Sequence, residues 1–390
     1  MSLRFLNAGE SHGPALVAIL EGFPAGLPLP VEVINRELAR RQRGFGAGPR
    51  MKIESDEVRI LGGVMAGVTT GAPLALVIQN RDHEDWRGKP IAPFTTPRPG
   101  HADLTGAIKY GYGDLRPALE RASARETAVR VAVGAVCRHL LAQFEVQIGG
   151  YVVSLGEITA NLGRYSLVEL ATRAEESEIR CPDPEAGEDM QARIRKAMQE
   201  GDTLGGVIEV FALGLPPGLG SYSHWDRRLD ARLGAAVLGV QAIKGVQIGP
   251  AFENASLPGT QVQDAIQLDG DDLVRPTNRA GGVEGGITNG QPLIIRAAMK
   301  PIATTLSPQQ TVDLASGEET LTQYERSDFC PLPRAVPILE AVIAFVLATA
   351  LIDKLGGDSL EEMRPRFDAL RGAKRADLPM NNEDQVWWPE

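Results

Sequence analysis

Five histidines occur in the 390 residues, and two of them, His12 in GESHG and His101 in RPGHAD, stand in glycine-flanked loops where packing does not require them. An imidazole placed there can reach a ligand and move a proton near neutral pH. The plainer alternative for His12 is a capping role in a turn. Arginines gather nearby in the sequence. LRPALERASARETAVRVAVGAV (115–136) sets Arg116, Arg121, Arg125 and Arg130 among alanines and valines, and LARRQRGFGAGPRMKIESD (38–56) holds Arg40, Arg41, Arg43 and Arg50 around a glycine-rich loop. Guanidinium forks pair bidentately with carboxylate and phosphate, so both stretches suit a multiply anionic ligand. Gly46-Ala47-Gly48 is not GxGxxG and no Walker motif occurs, which argues against a nucleotide-binding loop of that kind. QYERSDFCPLPRAVPILEA (323–341) adds Arg326 and Asp328 just ahead of an apolar run, where a carboxylate can sit beside a ligand or simply form a helix-flanking ion pair. GESHG also has the G-x-S-x-G form of a hydrolase nucleophile elbow. The elbow needs a helix directly after the serine, and here Pro14 and the strand-like ALVAILEGFP follow instead.

These groups need elements to hold them. Val129, Val133, Val136, Cys137, Leu140, Leu141 and Phe144 recur at helical spacing, and Ser123-Ala-Arg-Glu126 has the form of a capping box. The pattern predicts one helix over 123–144 whose N-terminus, flanked by Arg116, Arg121 and Arg125, makes an anion site. ALVAILEGFPAGLPL (15–29) reads as strand, turn, strand, and VEVINRELARRQ (31–42) as a helix. VIEVFALGLPPGLG (207–220) followed by RRLDARLGAAVLGV (227–240) repeats that order. GGVMAGVTTGAPL (62–74) and GGVEGGITNGQPL (281–293) are identical at eight of 13 positions. The expectation is an α+β chain, 1–390, built as one domain by internal duplication, with similar halves at about 1–150 and 200–360 sharing one core. CPDPEAGEDMQARIRKAMQEGD (181–202) reads as a polar surface insertion with a helical part, and 361–390 as a C-terminal tail. The Pro- and Gly-rich stretch 80–106 reads as a long functional loop.

Composition narrows the classes further. A formal net charge of −10 argues against a general binder of nucleic acid or of an anionic membrane, so any positive patch is local. Cys137, Cys181 and Cys330 are odd in number and lack a CxxC pair, which indicates neither a disulfide framework nor a metal site and fits a reducing cytoplasm. MSLRFLNAGESHG has no apolar signal region, and AVPILEAVIAFVLATALI carries Glu340 and a proline, so it is expected as a buried core helix.

Taken in order, GESHG, RPGHADLTG, ERASARETAVRVAVGAV, NRAGGVEGGITNGQPL, AAMKPI and ERSDFCPLP resemble the chorismate synthase family, from the N-terminus to about residue 360. The resemblance implies a β-α-α-β sandwich, a homotetramer, and the 1,4-elimination of phosphate from 5-enolpyruvylshikimate 3-phosphate to chorismate with reduced FMN (FMNH2) and no net redox change. NADPH is implied as a possible reductant. By the same resemblance His12 lies near the leaving phosphate, His101 serves the reduced flavin, and Asp328 is associated with flavin N5 and removal of the C6 proton. Arg121, Ala122 and Ser123, then Gln241 and Ala242, Gly285, the run Lys300, Pro301, Ile302, Ala303 and Thr304, and Arg326 would contact flavin. Arg41, with Arg50 and Arg116, would contact NADPH or substrate phosphate. Ala47 stands where the family usually has a second arginine in that loop, leaving Arg43 or Arg50 to substitute. The resemblance assigns nothing within 82–97. A rival class, a binder of phosphorylated metabolites without turnover, has no use for His12, His101 and Asp328 together.

Overall fold

The computed structural model describes residues 3–46, 55–163, 165–325, 327–385 and 387–388. Two antiparallel sheets frame the fold. In the first, β1 (Arg4–Ala8), β2 (Ala15–Glu21), β3 (Val58–Gly62) and β4 (Leu74–Gln79) lie in the order β1-β2-β4-β3. Period-2 alternation points Leu16, Ala18 and Leu20 of β2 inward, facing Ile78, Leu76 and Leu74 of β4, and all six are fully buried. The second sheet contains β5 (Gln147–Leu155), β6 (Ile158–Thr159), β7 (Gly206–Leu213), β8 (Ile243–Ile248) and β9 (Leu293–Met299), ordered β8-β9-β7-β5-β6. Without the short edge strand β6, β5-β7-β9-β8 has the same sequential order as β1-β2-β4-β3.

Two helices lie between the sheets, and the others pack around them. α1 (Val31–Gln42) follows β2, as its 3.6-residue pattern predicts. α2 (Asp103–Tyr110), α3 (Arg116–Ala122) and α4 (Thr127–Ala142) follow the first sheet. After them come α5 (Leu167–Glu176), α6 (Pro184–Glu200), α7 (Leu229–Leu238), α8 (Leu332–Leu355) and α9 (Leu360–Asp368). α4 packs on β2 and β4, α8 packs on β5 and β7, and the two helices pack on each other. α8 is long and apolar enough to cross a membrane, yet 94% of that apolar window is buried inside the fold. Its one buried acid, Glu340, is met by Arg40 of α1 at 2.7 Å and Arg138 of α4 at 2.9 Å. Those pairs supply the partners that a buried carboxylate needs.

The echoed glycine segments close each sheet in the same way. Gly63 and Gly282 both sit at φ +85, and a Cβ on either would strike a proline carbonyl oxygen, that of Pro73 at 2.7 Å or of Pro292 at 2.6 Å. Only glycine fits there. Thr69 Oγ1 accepts from Leu27 N and donates to Pro24 O, and Thr288 Oγ1 accepts from Leu219 N and donates to Pro216 O.

Three expectations need correction. The stretch 22–29 is not a second strand, because Pro24 and Pro28 cannot donate to a ladder, and only isolated bridges form there. The helix expected over 123–144 has Ser123 as its N-cap, as read, but its first turn, Ala124–Glu126, is 3-10 and α4 itself runs Thr127–Ala142. The capping box does not form because the Glu126 carboxylate accepts from Asn7 and Gln241 and, one turn on, from Arg130, in place of the Ser123 backbone. Residues 181–202, expected as a surface insertion, contribute α6, whose Met190, Ile194 and Ala197 enter the core.

Candidate active site

A cavity of about 450 Å³ opens where residues of both sheets' loops converge, a size typical of small-molecule sites. Its walls include His12 and His101 from the first part of the chain, Gln241, Lys300 and Thr304 from the second, and Asp328 just before α8.

His12 sits in the turn between β1 and β2. Asn80 pins that turn by donating to Glu10 O at 3.1 Å and Gly13 O at 2.8 Å. Glu120 of α3 holds His12 twice, through its backbone N–H at 2.8 Å and its Nδ1 at 2.7 Å. Burial pushes the Glu120 carboxyl up, and the His12 imidazole and backbone N–H overcome it and hold it below the usual range. Ser11 is buried in the same turn between two strands, a setting unlike a nucleophile elbow. His101 precedes α2, and its Nδ1 lies 2.6 Å from Asp103 Oδ1. Arg98 forks onto the same carboxylate at 2.8 and 2.9 Å and reaches Thr304 Oγ1 at 3.2 Å. Burial pushes the Asp103 carboxyl up, but Arg98 and His101 keep it well below the ordinary range.

Arginines crowd the opposite side. Arg41 donates to Thr127 Oγ1, Ala124 O and Asp56. Arg125 pairs with Asp56 at 2.6 Å and bonds Asn80 at 2.9 Å, and Arg334 pairs with Asp328 and bonds Arg41 O at 3.2 Å. Burial, with the nearby Arg334 and Arg125, pushes the Arg41 guanidinium down to about 9 against the pull of Asp56 and Asp328. Among the described residues Arg41 and Arg125 pair with Asp56, and Arg334 with Asp328, which gathers three guanidiniums able to meet an anion on the cavity wall. Asp328 therefore lines the cavity and also makes the helix-flanking ion pair.

Of the residues expected at flavin, Ala122, Ser123, Gln241, Ala242, Lys300, Ile302, Ala303 and Thr304 all line this one cavity. Gln241 Nε2 donates to Glu126 at 2.7 Å, while its Oε1 is buried with no partner among the described residues. Ala242 is held at φ +65, a region that L side chains rarely adopt, and its carbonyl accepts from Lys300 N at 2.9 Å. Arg121, Gly285, Pro301 and Arg116 are not on the wall. Arg121 is exposed and donates to Asn7, and Gly285 occupies an exposed hairpin turn. Arg116 lies over the rings of Trp86 and Phe94, with its buried Nε unpartnered among the described residues. Ala47, Arg50 and Arg326 lie outside the described residues. Sequence reasoning passed over Arg98, Asp103, Glu120, Trp86 and Arg334. Asp103 had a readable signal, since an acid two residues after a loop histidine is within reach of its ring, whereas Glu120 is 108 residues from His12 and had none. Among the described residues no group of His, Cys, Asp or Glu is placed to hold a metal ion.

The family model for chorismate synthase matches residues 3–352. The chain belongs to the chorismate synthase family. It is 52% identical over 384 residues to the chorismate synthase of Aquifex aeolicus, covering 94% of this chain and 96% of that protein. It is 49% identical over 391 residues to that of Chlorobaculum tepidum, covering 96% and 98%. A solved structure described as a crystal structure of chorismate synthase superposes with a TM-score of 0.78 at 45% identity, covering 94% of this chain and 97% of that one. Membership of the chorismate synthase family makes the chain a lyase of the shikimate pathway, acting on a carbon–oxygen bond to phosphate.

Proposed function

We propose that this chain performs the 1,4-elimination of phosphate from 5-enolpyruvylshikimate 3-phosphate, giving chorismate, with reduced FMN bound in the cavity. The observation that carries the reading is the meeting, in one cavity, of the Arg41, Arg125 and Arg334 guanidiniums with the imidazoles of His12 and His101. The residues present fit the flavin: Gln241 Oε1 is a buried acceptor on the cavity wall without a partner among the described residues, and Ala122, Ser123, Ala242, Lys300, Ile302, Ala303 and Thr304 would hold it. When bound there, reduced FMN supplies transient electron density to the breaking allylic bond with no net redox change.

The protein's own groups do the rest. The arginines bind the substrate's carboxylates and phosphate and stabilise the charge that develops as phosphate leaves. His12 is placed to give the departing phosphate a proton, His101 to manage a proton at the flavin, and Asp328 to take the substrate proton. Its ion pair with Arg334 keeps that carboxylate oriented. NADPH as reductant, a homotetramer and a cytoplasmic location belong to the same reading. So does a β-α-α-β sandwich arising by duplication, supported by the matching strand orders and the equivalent Gly63 and Gly282 turns. Anaerobic incubation of substrate with photoreduced FMN is the test. Phosphate is expected only with reduced flavin, and its release at full rate with oxidised or no flavin overturns the reading.

A further inference from the structure

We infer that Glu120 is a positioning residue for His12: it fixes the imidazole with a proton on Nδ1 and so makes Nε2 the nitrogen through which His12 exchanges protons. The inference rests on reading His12 as a proton-transfer group. Glu120 is behind the cavity wall and receives both the backbone N–H of His12 and its ring Nδ1, at 2.8 and 2.7 Å. One carboxylate therefore sets the loop and the ring together. A carboxylate has no proton to give, so a 2.7 Å contact requires the proton to be on Nδ1. Trp86 lies along the ring with centroids 4.3 Å apart and planes at 34°, which resists a ring flip that would exchange the two nitrogens. The other side of the imidazole is turned toward Asp82, 3.7 Å from Nε2.

His101 repeats the arrangement on a different loop. Its Nδ1 is 2.6 Å from the buried Asp103, and the Arg98 Nη2 found 3.0 Å from the same nitrogen instead gives its proton to Asp103 Oδ1 at 2.9 Å. Both imidazoles on the cavity wall are thus gripped through Nδ1 by a carboxylate standing behind the wall. A histidine held for packing alone needs no such partner at the atom opposite its working nitrogen.

The test uses the full chain labelled with nitrogen-15 histidine, observed by long-range proton–nitrogen NMR at a pH where the ring is neutral, with His12→Asn identifying the resonance. Wild type is expected to report Nδ1–H. In Glu120→Gln the side-chain amide can donate as well as accept, so the ring shifts toward Nε2–H and kcat falls about 100-fold with KM little changed. An unchanged Nδ1–H in that variant overturns the proposal, as does Nε2–H in the wild-type spectrum, which decides the matter even if the variant fails to fold. A shifted tautomer with full turnover keeps the positioning role and overturns the reading of His12 as a proton-transfer group.

Discussion

His12 and His101 are each held at Nδ1 by a carboxylate, Glu120 and Asp103. His12→Ala and His101→Ala are each expected to slow turnover by about 100- to 10,000-fold while the protein stays folded. Steady-state assays at saturating substrate and flavin check this, and full turnover in either variant returns that histidine to a structural role. At this scale the sequence was legible where a residue's type was odd for its surroundings. A histidine in a glycine-flanked loop announced itself, and His12 and His101 do meet at one cavity. Arg121 shows the limit. Leu119 and Ala122, one helical step apart, face the cavity, and the phase of α3 turns Arg121 outward to Asn7. Composition alone does not report helix phase at a seven-residue element.

Elements carry charge relationships that single residues do not. At the start of α4, Glu126 is claimed by Asn7 and Gln241, distant in sequence, and by Arg130 one turn on. Among the described residues Ser123 Oγ accepts from Arg125 N alone, at 3.3 Å, to close one 3-10 turn. Ser123→Ala is therefore expected to cost about 0.5 kcal/mol, the low end for a lost cap, as measured by urea unfolding. Glu175 of α5 behaves differently. Burial pushes its carboxyl up, and the Arg40 and Arg180 guanidiniums overcome that and hold it down to about 2. A folded pKa below the unfolded one means that the pairing stabilises the protein in full above roughly pH 4.5 and is lost as the pH falls toward 2. Urea unfolding of Glu175→Gln should thus differ from wild type at neutral pH, and the two should converge on acidification. The local periods of α1, α7 and α8 were readable because each has one apolar stripe or is apolar throughout. The junction at 122–127 was not, since the S-x-x-E spacing is the same whether or not distant partners claim the glutamate.

The whole molecule turns on how closely α4 and α8 approach. Gly134 lies against Ala341 so tightly that a Cβ on Gly134 would fall 2.3 Å from the Ala341 Cβ and 2.6 Å from its carbonyl oxygen. No rotamer relieves such a contact, and the helices must separate. Gly134→Ala is expected to destabilise by about 2–3 kcal/mol, read from denaturant midpoints at unchanged slope. The equivalent turns at Gly63 and Gly282 were marked by the glycine echo, because a Cβ at φ +85 there would strike a proline carbonyl. The location of the cavity was not, since it arises only when loops some 200 residues apart come together, as Arg98 and Thr304 do.

That convergence has a mechanical meaning. The cavity is walled on one side by loops that follow the first sheet and on the other by loops of the second, so anything seated in it touches both. Such a guest acts as a rivet across a seam held by apolar helix surfaces and by polar pairs such as Arg138 with Glu340 and Arg98 with Thr304. Its grip adds directly to the cohesion of the seam, by RT ln(1 + [L]/Kd). Filling the site and bracing the frame are then one event, and the loaded protein is the more rigid as well as the competent one.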